Sequence, residues 1–339
     1  MPLVLERNSV LDIYAKAAHK KWVIPTFCTE NLTTTEAILS AALEYSEQIN
    51  CQDIPITIAI TNQYSHRSQS VNYTHTRKWD IGLKLFMADI DVLTSGDSPF
   101  SKLNVMTLLD HTQWDSDEPL LAWDMNQFSM IMYDASTLPF EENIRKTADF
   151  VKKNGGKIVI EGACDEIVDA TGQDKSELTT PEKARRYLEE TAVDYIVANL
   201  GTEHRASAAE LKYHSNLAKK ISSITGPRLV LHGTSSVGHD QIKNLFSDGI
   251  AKVNIWTCLE RDSSPVLFKD MVLNATKVIG AAQTLQMIDS LLLGQNVDKT
   301  NTPSLSHYTT AYRQDTIFNK MKLIVLDYLK LWYTFQSRH

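Results

Sequence analysis

No apolar stretch in this chain of 339 residues reaches the roughly 18 that a membrane helix needs. The longest candidates, such as Met87–Leu93, are interrupted by aspartates. Basic runs are absent too, and 34 Lys and Arg against 41 Asp and Glu leave a net charge of −7. No nucleic-acid partner is therefore expected, and an anionic substrate has to be met by a local site. Only four cysteines occur (Cys28, Cys51, Cys164, Cys258), far apart and without a C-x-x-C pair, so they neither frame a disulfide scaffold nor chelate zinc by themselves. The amino terminus, MPLVLERNSVLDIYAKAAHKK, lacks the charged start, apolar middle and small-residue cleavage site of a secretory leader. The expectation is a cytoplasmic protein with reduced, mostly buried thiols. With 43% apolar and 22% charged residues, the composition is that of an ordinary globular protein.

What the sequence does contain is a repeated alternation. Short β-rich runs fall at Trp22–Phe27, Ile54–Thr61, Leu103–Leu109, Ser129–Tyr133, Lys157–Ile160, Tyr195–Leu200, Arg228–Leu231 and Ile250–Ile255. Helical spacing is found over Thr33–Ser46, Phe140–Asn154, Pro181–Thr191, Ala208–Ile224 and Gly238–Ser247. Strands that read as continuous apolar runs imply a parallel sheet covered on its outer side. Eight such units predict an α/β fold, a closed (β/α)8 TIM barrel with additional C-terminal helices. The barrel core is placed at 22–274 of a single domain over 1–339, with a helical extension at 275–339. Within that extension, helical patterns at Met271–Leu293 and Phe318–Phe335 flank a polar break at Gly294–Pro303. Apolar residues on more than one face of the last pattern predict packing on the barrel or on a neighbour, and a homodimer. Residues 62–80, NQYSHRSQSVNYTHTRKWD, are polar and aperiodic. They predict a long loop after the second strand, on the face where barrel loops carry function.

Three histidines sit at the expected carboxyl ends of strands: His111 after the third, His204 after the sixth and His232 after the seventh. Any one of them alone reads as a hydrogen-bonded loop residue. Together on one rim they form a His₃ set, which suits a divalent metal with an open coordination position, zinc by preference.

At these residues the chain resembles the class II, metal-dependent fructose- and tagatose-bisphosphate aldolases. The resemblance runs in order through Val23–Phe27, Leu109-Asp110-His111, Asp134–Ile144, Gly201–His204, Leu231–Ser236 and Ile250–Asn254 through Thr257. It implies that His111, His204 and His232 hold Zn2+ and that Asp110 is the acid/base group for the hydroxyl of the aldehyde half. It also implies that Asp134 orients a ligand. Gly233, Ser235 and Ser236, with Asn254 and Thr257, match the family's phosphate cradle, in which backbone N–H groups and small hydroxyls hold the anion. The alternative for Asp110 is a carboxylate capping the following loop, and Gly-Thr-Ser-Ser is also a common turn and N-cap sequence.

Departures from the family pattern fall on chemistry-bearing positions. Glu161 matches the first glutamate after strand five, but Ala163 stands in place of the second, and the Gly-rich acidic loop is absent. Asp165, Glu166 or Asp169 are the available substitutes for its base. Cys28 stands where Asn is usual, Trp256 replaces a small polar residue, and Arg205 replaces a Gly. A guanidinium there offers a further contact to a phosphate or carboxylate. The resulting expectation is a zinc-dependent aldolase-type carbon–carbon lyase acting on a ketose phosphate or related anionic polyol. Two alternatives stay open: a metal-dependent epimerase, isomerase or retro-aldol enzyme of specialised metabolism, and a non-catalytic barrel that has lost the base-bearing loop.

Overall fold

The computed structural model describes residues 2–52, 54–167, 177–202 and 213–334. Eight parallel strands close into a barrel in sequence order. They are β1 (Ile24–Cys28), β2 (Pro55–Thr61), β3 (Asn104–Gln113), β4 (Met130–Asp134), β5 (Val159–Ala163), β6 (Tyr195–Val197), β7 (Leu229–Leu231) and β8 (Ile250–Ile255). Closure is made by β1 on β8, with Thr26 opposite Asn254. Apolar and β-branched residues fill the strands because both faces are covered, the inner by the packed lumen and the outer by helices. One ion pair lies inside that lumen. Lys252 Nζ of β8 stands 2.7 Å from Glu161 Oε1 of β5, both side chains fully buried. As β5 and β8 are not neighbours, the pair spans the barrel interior, and its two charges are tolerable there only because each compensates the other.

Two helices have the bounds that the sequence predicts. Phe140–Asn154 carries Glu141 and Glu142 in its first turn and Lys152 and Lys153 in its last, each sign at the helix end that favours it. Pro181–Thr191 is capped by Thr180, whose side chain accepts the Lys183 N–H.

Other expectations are corrected. β3 runs on to Gln113, so Asp110 and His111 lie within the strand and not after it. Gly238–Ser247 is not one helix but a short turn of helix, His239–Ile242, and a 3-10 turn, Leu245–Asp248. The chain leaves that turn through Gly249 at φ 91°, where a Cβ would collide with the Ser222 side chain, so no longer helix fits. The Ala208–Ile224 pattern is helical over Ser215–Thr225, and its first residues lie outside those described. Met271–Leu293 is divided among Thr257–Leu273, Ala275–Ile279 and Ala281–Asp289, broken at Asn274 and at Gly280, φ 85°. Residues 62–80 are not irregular throughout: they hold the short helix Gln69–Asn72 and enter the helix Trp79–Leu93. Their polarity is used internally, since Asn62 Nδ2 donates to Asp117 (2.8 Å) and Gln69 Oε1 accepts the Thr61 N–H (3.0 Å).

The final helix, Thr310–Trp332, starts earlier than expected, with the Thr309 side chain accepting the Tyr312 N–H. It packs on its own barrel through Met321, Val325, Leu329 and Trp332. The contact is fastened by hydrogen bonds from Trp332 Nε1 to the Ile242 carbonyl and from the Tyr333 hydroxyl to the Pro55 carbonyl. The four cysteines are free, three buried and Cys51 half-buried. No described helix is long and apolar enough to cross a membrane.

Candidate metal centre and adjoining cleft

Successive side chains of a strand point to opposite faces, yet Asp110 and His111 converge on one place. The cause is a break in register between Leu109 and Thr112 where β3 meets β4, with His111 at φ 46°. This is a bulge with a non-glycine residue in the left-handed region, a conformation that persists only where the surroundings hold it. Asp134, at the end of β4, is one such hold: its Oδ2 lies 2.8 Å from His111 Nδ1. The other Asp134 oxygen accepts the Ser136 N–H (3.1 Å) and hydroxyl (2.6 Å). Burial alone would raise the Asp134 carboxyl, but the His111 hydrogen bond and charge and the Ser136 donors hold it below its ordinary range. Tyr64 covers the imidazole, its ring stacked at 4.3 Å from that of His111.

With Nδ1 committed to Asp134, Nε2 is the His111 atom that could hold a metal ion. It stands 3.1 Å from Nδ1 of His232, which follows β7 directly. Two nitrogens bound at 2.0–2.1 Å to one tetrahedral cation would lie about 3.3 Å apart, so the pair fits such an ion with little adjustment. The carboxylate behind His111 is the usual partner of a metal-bound imidazole. Asp110, His111 and His232, all buried, bring ligand atoms within 4.8 Å of one another. His204 and Arg205 lie outside the described residues.

Both Asp110 oxygens are occupied by groups other than the histidines. Oδ1 accepts from Asn254 Nδ2 (2.8 Å), and Oδ2 from Arg67 Nη2 (2.6 Å) and the Cys28 thiol (3.5 Å). Burial opposes ionisation, but His111, His232, Arg67 and Lys252 outweigh it and hold the carboxyl well below its ordinary range. The resting group is a carboxylate, a proton acceptor. The Cys28 thiol beside it is pushed up by burial and stays protonated, a donor and not a nucleophile.

A small cleft opens beside His232, lined by Arg67, Gly233–Ser235 and Asn254–Cys258. Gly233 enters the turn at φ 65°, and the Thr234 hydroxyl donates to the Asn254 carbonyl (2.8 Å), tying the two segments together. Gly233, Ser235, Asn254 and Thr257 thus share one wall, whereas Ser236 is buried and does not line it. Trp256 presents its ring to the cleft and donates from Nε1 to Glu30 Oε1 (2.6 Å). Of the proposed substitutes for the missing base, Asp165 is held by Lys183 and by the Thr179 hydroxyl (2.7 Å), and Asp169 lies outside the described residues.

Sequence reasoning did not single out Arg67, Tyr64 or Glu30. The first two belong to the polar segment recognised as a functional loop, but nothing in its aperiodic order told which side chains turn inward.

The family model described as fructose-bisphosphate aldolase class-II matches residues 8–314. A closed barrel with a buried imidazole pair beside a carboxylate is consistent with that match, and the chain belongs to the class II fructose-bisphosphate aldolase family. It is 30% identical over 252 residues to the fructose-bisphosphate aldolase of Streptococcus pyogenes serotype M3, covering 72% of this chain and 77% of that one. It is 31% identical over 157 residues to YdjI of Escherichia coli K12, covering 43% of this chain and little more than half, 55%, of that protein. Among solved structures, the fructose-bisphosphate aldolase of Campylobacter jejuni superposes with a TM-score of 0.73 at 17% identity, covering 98% of this chain and 95% of that one. That likeness is one of fold.

One carboxyl near the cleft gives a pH test. Glu260 is pushed up to about 7 by burial, with the charge of Glu30 adding to it, and its Oε1 has no partner. The folded state thus binds more protons than the unfolded one between about pH 4.5 and 7, so stability falls as pH rises through that interval and is level above it. Glu260→Gln is expected to remove this fall and to stabilise the protein at pH 8 by on the order of 2 kcal/mol, with little change at pH 4. Urea denaturation at the two pH values measures it; an equal effect at both contradicts the assignment.

Proposed function

We propose that the chain is a cytoplasmic, zinc-dependent aldolase-type lyase that breaks or forms a carbon–carbon bond next to a ketone in a phosphorylated or otherwise anionic polyol. The observation that carries this reading is the meeting of His111 Nε2 and His232 Nδ1 beside the ionised Asp110. His111, His232 and His204 are the assigned ligands and would hold a divalent cation, which when bound would supply Lewis-acid polarisation of the substrate's ketone. Asp134 fixes the His111 ring. In the cleavage direction, Asp110 takes the proton from the hydroxyl of the aldehyde half. The electrons of the breaking carbon–carbon bond pass to the ketone half, and the aldehyde leaves. Arg67 and Asn254 orient the Asp110 carboxylate for this transfer. The small residues of the Gly233–Ser235 turn, with Asn254 and Thr257, receive the substrate's anionic group. Arg205 is assigned to the same anion. Cys28 and Trp256 in place of the family's residues argue for a substrate other than fructose 1,6-bisphosphate.

As-purified protein is expected to carry about one divalent metal per chain and to release an aldehyde from at least one member of a ketose-phosphate panel. Chelation should abolish release and zinc restore it, and His232→Ala should lower kcat/KM by roughly a thousandfold or more. Trapping of the aldehyde separates cleavage from epimerisation, which releases none. Absence of metal, or full activity in His232→Ala, overturns the reading.

A second copy of the chain is assigned to the apolar side chains exposed beyond the barrel, among them Phe268, Leu273, Leu291, Leu292 and Leu305. So many on one stretch are costly to leave in water. Light scattering at micromolar concentration should give twice the chain mass; a monomer contradicts the assignment.

A further inference from the structure

Arg67 is a buried cation in a chain of net charge −7, its side chain only 10% exposed. One nitrogen donates to Asp110, Nη2 to Oδ2 at 2.6 Å. Its Nε is buried without an acceptor, although Arg67 lines the same cleft as the Gly233–Ser235 turn. A buried N–H left without an acceptor is destabilising and points to a partner that arrives from solution. In the lining of the same cleft the Ser235 hydroxyl also has no partner, and it belongs to the turn that Gly233 opens at φ 65°.

The cation is fixed in place. Its Cζ lies 5.1 Å from the centre of the Trp256 ring, a distance at which the ring face attracts a guanidinium. Trp256 is held by Glu30, and Glu30 Oε1 also accepts from Gln69 Nε2 (2.7 Å), two residues beyond Arg67. The Arg67 N–H donates to the Tyr64 carbonyl (2.9 Å), and its own carbonyl accepts the Thr61 hydroxyl at the end of β2. The cation and the ring beside it are thus tied to one small network. A planar fork fixed in this way, with donors left over, suits an oxyanion that accepts two parallel hydrogen bonds.

We propose that Arg67 is a specificity-determining residue: with the Ser235 hydroxyl and the Gly233–Ser235 turn it holds a phosphate-ester oxyanion of the substrate, with Trp256 setting the plane of the guanidinium. The proposal deepens the reading of the substrate as phosphorylated and rests on it for the ligand's class. It gives the polar 62–80 segment a task, to carry a cation to the turn whose backbone N–H groups and hydroxyls receive the anion. It also makes Arg67 the link between the anion and Asp110, so that the substrate's charged end and its reacting hydroxyl are read by one side chain.

The test is calorimetric titration of inorganic phosphate into the full chain, as purified and after chelation. Wild type is expected to bind phosphate saturably in both states. Arg67→Gln should weaken binding roughly tenfold or more, and Arg67→Lys by less, because an ammonium keeps the charge but not the fork. Ser235→Ala should cost a few-fold, and the exposed control Arg145→Gln nothing. Wild-type affinity in Arg67→Gln overturns the proposal, as does loss of all phosphate binding on chelation, which would place the anion on the metal. Should Arg67→Gln not fold by circular dichroism, unchanged affinity in both Arg67→Lys and Ser235→Ala overturns it. Because binding needs no turnover, Arg67-dependent binding in a protein that releases no aldehyde would leave this proposal standing and sink the lyase reading. Aldehyde release with Arg67-independent binding would do the reverse.

Discussion

A strand shows alternate side chains to alternate faces, and the mouth of this barrel depends on breaking that rule once. The register break in β3 between Leu109 and Thr112, with His111 at φ 46°, turns a carboxylate and an imidazole that are adjacent in sequence toward a shared point. Every other feature of the site refers to that pair. Asp134 and Tyr64 hold the ring of His111, Asn254 and Arg67 hold the carboxylate of Asp110, and His232 comes from across the barrel to meet the ring. A strained backbone conformation of this kind costs about 1–3 kcal/mol. Here it is offset by the hydrogen bonds that Asp134 makes to His111 and Ser136.

Charge is organised in two layers. In the lumen, Lys252 and Glu161 compensate each other across the barrel, both beyond the reach of water. At the mouth, the neighbouring imidazoles and the Arg67 guanidinium, with Lys252 below them, keep Asp110 ionised in spite of its burial. Low dielectric makes such compensation obligatory: an isolated buried charge costs several kcal/mol, so each one present has to be matched or used.

Much of this was legible in the sequence, for identifiable reasons. Continuous apolar runs mark strands covered on both faces, so all eight are legible, and the helices Phe140–Asn154 and Pro181–Thr191 are legible in their apolar spacing. The helix Trp79–Leu93 went unremarked beside a polar stretch, although Leu83, Phe86 and Ile90 carry its buried face. The expected position of His232 directly after β7 is the observed one, whereas His111, expected after β3, lies within it. The bulge was hidden, because nothing in Leu-Leu-Asp-His-Thr announces a positive φ at histidine. Arg67 was hidden for another reason: its role comes from contacts to β3 and β8, distant in sequence, and an aperiodic polar segment carries no record of which residue will make them.

The central claim is that His111 and His232 close on one cation. X-ray absorption on the zinc-loaded protein tests it most directly. The account predicts a first shell of nitrogen and oxygen at about 2.0–2.1 Å with outer-shell scattering from at least two imidazoles, reduced by one ring in His232→Ala. A shell dominated by sulfur at about 2.3 Å, or one without imidazole scattering, would contradict it.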